Sequence, residues 1–431
     1  MYKKLIFIEL NEINFDLIKI YSLRHNFKVF NEDFFSKLKT TKSEDTYELI
    51  EPWIQWVSVH TGLEAREHNI FRLGDIDNKH NFKQIFNVVE DKGYTVGAVC
   101  PMNVKNDLKK TKYFIPDPWS KNQNPKSFIQ NKIYNALSEA VNKNSGNSLS
   151  FKTMFTILFS ILFYVRKKNF LKFIKYTIKS FKNKWYKALL FDFLLNEIHL
   201  KFIKKYNKDF STIFFNAGAH IQHHYMNNSK ALDSSKKNPE WYVKSSTDPI
   251  LEAYIFYDEI INEYLKMNKS SILIATGLSQ IPYDKSTFYY RLSNHSNFFD
   301  KLNLKYLKIE PRMSRDFLVN FQDEESSKQC EEKLKKINEL NKEKIFEFDN
   351  RGISIFISFV YANEILRETT LKIDINNEIN LYQYVNFVAI KNGKHSPKGF
   401  MFAKGDIEEV IEGNNFHVKK IFNIINSYFK K

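Results

Sequence analysis

Four short apolar runs, each ending in polar residues, constrain this chain more than any other feature. Leu5-Ile6-Phe7-Ile8 leads into Glu9-Leu10-Asn11-Glu12; residues 95–100 end at Pro101; Thr212-Ile213-Phe214-Phe215 ends at Asn216; residues 271–275 end at Thr276-Gly277. Apolar runs this short and continuous, without the alternation of a half-exposed strand, suit buried parallel strands. Helical patterns separate them, at residues 15–21, 82–91 and 249–265, and a last helix is expected at 418–428. Strands alternating with helices predict an α/β fold with a mostly parallel central sheet and helices on both faces. The 431 residues are expected to form a single such domain over 1–431. In open α/β sheets, sites form beyond the carboxyl ends of strands. Glu9, Asn11 and Glu12 are therefore the first candidate site residues.

Residues 125–205 have a different texture and are expected to be a helical, basic insertion. Residues 154–165 are mostly apolar and are followed at once by Arg166-Lys167-Lys168; Lys172, Lys175, Lys179, Lys182 and Lys184 then alternate with Phe, Ile, Tyr and Trp. The run is too short to span a bilayer. It suits an interfacial amphipathic pair with a basic face, which makes an anionic membrane surface an expected partner. The net charge is +16, but the lysines are spread along the chain and no zinc-finger or RNP-type motif is present. A nucleic-acid partner is not expected. Cys100 and Cys330 form neither a disulfide framework nor a zinc site. The apolar run at residues 5–8 is too short for a signal peptide, so a cytoplasmic protein is expected, peripheral at the inner face of the membrane.

Polar and aromatic residues concentrate at a few further places. Residues 51–75 combine Glu51, Trp53, Trp56, His60, a Thr61-Gly62 turn and His68, a mixture suited to a pocket wall. Residues 113–119 form a loop stiffened by Pro116 and Pro118 around Asp117 and Trp119. His220, His223 and His224 follow the third apolar run, and Gly393-Lys394-His395 precedes a short strand at 400–403. Arg291, Arg312, Arg315 and Arg351 lie in later loops, Arg312 and Arg315 within a cationic loop at 311–317. Forked guanidinium donors of this kind suit a diphosphate.

The order of these segments resembles the alkaline phosphatase superfamily, in particular its phosphodiesterase and nucleotide pyrophosphatase branch. That order is an acidic or amide strand end, a Thr-Gly turn with a nearby His, a strand followed by a His cluster, and a late Gly-x-His. The resemblance implies an alkaline-phosphatase-like α/β fold with 125–205 as an insertion. It also implies a two-metal site of Asp and His ligands and a Thr or Ser nucleophile. At the matching positions this chain has Asn11, Glu51-Pro52, Ala219 and Thr276-Gly277, and only His223 and His395 coincide with the family's ligands. Two imidazoles and an amide are too few for a two-metal site, so no metal or other cofactor is expected.

The expected activity is group transfer from a phosphate-activated sugar, nucleotide- or lipid-linked. It would be glycosyltransferase-like and serve cell-surface polysaccharide assembly. Glu51 or Glu9 would be the base, and His223 and His395 would stabilise the leaving phosphate. Asn11, Glu12, Trp53, Trp56, His60, Asp117, His220, Arg291, Arg312 and Arg315 would bind the substrate. The alternatives are a metal-dependent phosphodiesterase or phosphatase of the superfamily, and a pseudoenzyme that keeps the pocket for binding only.

Overall fold

The computed structural model describes residues 3–77, 82–120, 125, 127–142, 149–233, 236–312 and 315–430. Two compact units form: Met1–Val141, Ser148–Pro282 and Gly393–Lys431 make the first, and Asn142–Asn147 with Tyr283–Asn392 the second.

The first unit is built on an eight-stranded sheet. Its centre is the four apolar runs, seen as strands Ser271–Ala275, Leu5–Leu10, Phe210–Phe215 and Val96–Val99, side by side in that order. Every residue in them is buried, as expected of strands covered on both faces. Their three pairings are all parallel, so their carboxyl ends share one edge of the sheet. Strand Lys398–Lys404 runs antiparallel beside Ser271–Ala275, with Met401 opposite Ala275. Its amino-terminal end, with His395 just before it, is thereby brought to that same edge. Short strands Lys39–Lys42, Phe416–His417 and Phe114–Ile115 complete the sheet.

Helices flank the sheet and share one core with it. Pro249–Leu265 is where the sequence places it, started by Pro249 in its first turn and by the Asp248 carboxylate, which accepts from Leu251 N–H. It buries Tyr254, Tyr257, Ile261 and Tyr264, and each such side chain contributes about 1.5–3 kcal/mol. The stretch 125–205 carries helices Phe128–Asn142, Phe151–Tyr164, Lys167–Lys182 and Trp185–Tyr206. Among the described residues, no helix is long and apolar enough to cross a membrane. Cys100 and Cys330 are buried free thiols.

The second unit has its own core, with Phe317, Val319, Leu334, Ile337, Ile355 and Ile357 at its centre. A four-stranded antiparallel sheet orders Phe346–Asn350, Ser354–Phe359, Asp316–Asn320 and Lys308–Pro311, and helix Glu324–Asn341 supplies the packing face. The segment read as a cationic loop, 311–317, holds Arg312 and Arg315 between two strands, with Pro311 ending the first and Asp316-Phe317 starting the second; Met313 and Ser314 lie outside the described residues. In the second strand Phe317 and Val319 face in while the alternate positions face out.

Candidate metal centre

Three segments at the carboxyl edge, a turn, a helix and a strand, bring Glu12, His223 and His395 together. Glu12 follows the first strand in a left-handed turn, φ 58°, which a glutamate rarely adopts and which costs about 1–3 kcal/mol. Hydrogen bonds on both sides hold it. Its N–H donates to Thr276 O at 3.1 Å, and its carbonyl accepts from Gln222 Nε2 at 2.7 Å. The carboxylate is fixed by Asn11 Nδ2 on Oε1 at 2.8 Å and by Gln280 Nε2 on Oε2 at 2.6 Å.

His223 stands on helix Ala217–Tyr225, which starts two residues after strand Phe210–Phe215. The Asp192 carboxylate accepts from Ala217 N–H at 2.9 Å and from Asn216 N–H at 3.3 Å, anchoring the helix start. Burial pushes the Asp192 carboxyl up to about 7, against the lowering effect of these donors and the Tyr257 hydroxyl. Gly218 lets the helix close on the Glu12 loop: a Cβ there would lie 2.2 Å from Ile13 Cδ1. His395 is admitted in the same way, since a Cβ on Gly393 would lie 2.4 Å from Gln280 Oε1 and 2.7 Å from Gln222 O. This is the physical content of the Gly-x-His motif.

Both imidazoles turn Nε2 toward one carboxylate oxygen. Glu12 Oε2 is 3.0 Å from His223 Nε2 and 3.1 Å from His395 Nε2, and the two nitrogens are 3.3 Å apart. Burial opposes a charge on Glu12, yet His395 and then His223 hold its carboxyl well below the usual carboxylate range. Donors bound to a tetrahedral divalent ion at ~2.0–2.1 Å stand roughly 3.3 Å from one another. The three atoms have that spacing, and one carboxylate with two imidazoles is a donor set that catalytic zinc sites use. The residues present fit a single divalent ion. The count of donors made from the sequence, two imidazoles and an amide, omitted Glu12.

The other candidates fall into distinct surroundings. Glu51, just before helix Pro52–Thr61, places Oε2 3.5 Å from His395 Nδ1, and its side chain is 28% exposed. His220 sits one turn before His223; desolvation and then the charge of His223 push it down to about 4, so it is neutral near pH 7. Asn11 is structural glue for the turn, donating to Asn216 Oδ1 at 2.7 Å and accepting from Trp56 Nε1 at 2.8 Å.

Glu9 is not at the strand's end. It is the strand's fifth residue, wholly buried, and accepts from Thr212 Oγ1 at 2.5 Å. Its other oxygen is 3.3 Å from Nε2 of buried His60, but the two are not aligned for a hydrogen bond. Trp56 is fully buried and Trp53 donates its indole N–H to Phe71 O, so Trp56 is a core residue rather than an exposed stacking platform. Asp117 is wholly buried, accepting from the N–H groups of Asn103, Trp119 and Ser120 and from Ser120 Oγ; it builds its loop.

Arg291, Arg312, Arg315 and Arg351 belong to the second unit. Burial lowers Arg291. Arg312 pairs with Glu310 at 3.1 Å, Arg351 with Asp349 at 2.9 Å, and Arg315 lies over the Tyr289 ring at 4.3 Å.

Two hydroxyls on helix Pro52–Thr61 are poorly suited to attack. Thr61 Oγ1 donates to Val57 O. Ser58 Oγ is 3.2 Å from His68 Nε2, but Ile70 N–H donates to His68 Nδ1. With Nδ1 an acceptor, neutral His68 carries its hydrogen on Nε2 and donates to Ser58 instead of taking its proton.

Sequence reasoning missed Gln222 and Gln280, the two amides that hold the Glu12 turn. Gln222 Oε1 also accepts from Asn14 N–H at 3.1 Å and from Tyr254 Oη at 2.8 Å. The available signal was position: Gln222 adjoins His223, and Gln280 lies just beyond the Thr276-Gly277 strand end.

No family model and no curated protein matches this sequence. Solved structures match over nearly the whole chain. Murine ectonucleotide pyrophosphatase/phosphodiesterase 5 has 9% identity and a TM-score of 0.43, covering 99% of this chain and 95% of that one. Phosphonoacetate hydrolase from Sinorhizobium meliloti 1021, in complex with phosphonoacetate, has 8% identity and a TM-score of 0.45, covering 100% and 96%. Alkaline phosphatase from the Antarctic bacterium TAB5 has 10% identity and a TM-score of 0.40, covering 100% of both chains. All three are members of the alkaline phosphatase superfamily, the one that the loop order of this sequence resembles.

Proposed function

We propose that this chain is a metal-dependent phosphoester hydrolase of phosphodiesterase or phosphatase type, working with one divalent ion. The observation that carries this reading is the convergence of Glu12 Oε2, His223 Nε2 and His395 Nε2 within 3.0–3.3 Å of one another at the carboxyl edge of the sheet. Those three atoms would hold the ion. When bound, such an ion polarises a phosphoryl oxygen and lowers the pKa of water.

The chain's own residues supply the rest. Glu12 brings a negative charge to a buried place, and Asn11 and Gln280 fix its direction. Glu51 faces His395 Nδ1 and so orients the ring from behind, as carboxylates do for ligating histidines. It occupies the position where the resemblance implies a Thr or Ser nucleophile. A water, not an enzyme hydroxyl, would then attack phosphorus.

The test is metal analysis of the purified chain, with turnover of a nitrophenyl phosphodiester and a nitrophenyl phosphomonoester. Stoichiometric divalent metal is expected, with hydrolysis of one ester abolished by a chelator and restored by zinc or manganese. Chelator-insensitive turnover of a sugar nucleotide by a metal-free chain would overturn the reading in favour of sugar transfer. Ligand binding without turnover of any ester would leave a binding protein.

A further inference from the structure

Helix Phe151–Tyr164 is amphipathic in the wrong sense for a protein surrounded only by water. Its buried residues are Thr153, Thr156, Ser160 and Tyr164. Its solvent side carries Phe151, Met154, Phe155, Leu158, Leu162 and Phe163, with Phe151 89%, Phe155 69% and Leu162 64% exposed. Positions three and four apart share a helix face, so these side chains form one apolar stripe. The inward hydroxyls are satisfied locally: Thr156 Oγ1 donates to Lys152 O and Ser160 Oγ to Thr156 O. The polar face is thus cheap to bury, and the apolar face is left outward.

Helix Lys167–Lys182 follows after two residues and repeats the pattern. Leu171, Ile174, Ile178 and Phe181 recur at three- and four-residue spacing on its exposed side, Leu171 at 80% and Phe181 at 85%. Exposed Lys167, Lys175, Lys182 and Lys184 flank them. Both helices pack inward on helix Trp185–Tyr206. So much contiguous apolar surface is unusual on a monomer in water and marks an interaction site.

We propose that these two helices dock this protein on an anionic lipid bilayer, apolar stripes in the acyl boundary and lysines at the headgroups. Charge decides the occupant. No Asp or Glu lies between Glu139 and Asp192. A second copy seated face to face would set lysine against lysine across a twofold interface. Anionic headgroups complement the lysine rim, and the apolar side chains enter the boundary region as in other interfacial helices. Neither helix is a membrane span. The proposal is independent of the metal centre, and either can fail alone.

The experiment is co-sedimentation of the full chain with vesicles of phosphatidylcholine alone, and of phosphatidylcholine with phosphatidylserine, at two salt concentrations. Binding to the anionic vesicles is expected to be about tenfold or more tighter than to the neutral ones, and to weaken with salt. Leu158→Glu with Leu171→Glu should abolish binding. Lys175→Glu with Lys182→Glu should remove the preference for anionic lipid. All four positions are exposed or flank exposed stripes, and circular dichroism of each variant should match the parent. Equal binding to both vesicle types, or none, overturns the proposal. So does a parent dimer in sedimentation that Leu158→Glu with Leu171→Glu converts to monomer, since the stripe would then be a contact between copies.

Discussion

Replacing Glu12 by Gln separates a metal centre from a hydrogen-bonded polar cluster. The substitution keeps the shape and one carbonyl oxygen, but removes the charge and one of three donors. The carboxylate receives Asn11 Nδ2 on one oxygen and Gln280 Nε2 on the other, so an amide must also turn its NH₂ toward one of those donors. Even the loss of a partner behind a ligand typically weakens metal binding by about 10–100-fold, so loss of a ligand should weaken it by about 100-fold or more. At free metal 100 times the parent's Kd, linkage gives the parent about 2.7 kcal/mol of added stability, RT ln 101. The same concentration adds only about 0.4 kcal/mol, RT ln 2, to a site weakened 100-fold. Urea unfolding of both proteins, each with zinc and with chelator, should therefore show metal-dependent gains that differ by about 2 kcal/mol. The comparison of gains cancels whatever the substitution does to the metal-free fold. Equal gains in parent and variant would refute the assignment of Glu12 as a ligand. No gain in either, with no metal retained, would refute the centre.

Three further outcomes test the surrounding structure. Glu51→Gln should lower metal affinity by about tenfold, through loss of the carboxylate behind His395; titration calorimetry with zinc checks it. Gly393→Ala should cost about 1–3 kcal/mol in urea unfolding, because its Cβ would meet Gln280 Oε1 at 2.4 Å and Gln222 O at 2.7 Å, and should weaken metal binding as His395 is pushed away. Burial holds His199 down to about 3 between Tyr264 Oη and Ser211 Oγ. The unfolded chain then binds a proton there at a higher pH than the folded one, so stability falls as pH drops below the ordinary histidine value. Between pH 7 and pH 5 that loss is about 2 kcal/mol, and it should be missing from the pH dependence of the unfolding free energy of His199→Gln.

The fold's centre was legible because its strands are apolar at every position. Leu5 to Ile8, Ile213 to Phe215 and Ile272 to Ala275 leave no alternative face to expose, and Asp248-Pro249 marks a helix start by cap and ring together. The second unit was harder to read. In Phe346–Asn350 Glu347 and Asp349 alternate with Phe, and in Asp316–Asn320 only Phe317 and Val319 are buried; short alternating strands resemble turns when flanked by Arg and Asn. At the site, His223 and His395 were legible from their places after a strand and after a glycine. Glu12 was a candidate, but not as their partner, since it reaches them through a left-handed backbone that favours Asn or Gly and gives no signal in a Glu. The tryptophans and Asp117 show the converse limit. A polar tip on an apolar body suits a pocket wall and a core equally, and only the partner atoms, Asn11 Oδ1 for Trp56 and four donors for Asp117, distinguish them.

Where the resemblance implies an acidic ligand at Ala219, the carboxylate beside His223 comes from Glu12 instead. Gln280 Nε2 donates both to Ala219 O at 3.0 Å and to Glu12 Oε2 at 2.6 Å, so a neutral amide ties the helix that carries His223 to the loop that carries Glu12. With alanine at 219, that helix offers no carboxylate of its own, and the longer glutamate arrives from the neighbouring loop. On the proposed reading this arrangement would supply one carboxylate to one ion, and the neighbouring matched positions add no further charge: Asn11 is neutral and already shared among Asn216, Trp56 and Glu12, and Thr276 Oγ1 accepts from Phe400 N–H. A two-ion centre divides the attacking and leaving oxygens between its metals. A one-ion centre cannot, so on the proposed reading one of those oxygens would be served by the protein. Glu51, a carboxylate where the resemblance implies a hydroxyl nucleophile, lies 3.5 Å from His395 Nδ1 and has no hydroxyl to offer phosphorus. On the proposed one-ion reading, the missing second metal and the missing hydroxyl nucleophile would have one explanation: water attacks in place of an enzyme hydroxyl, at a single ion.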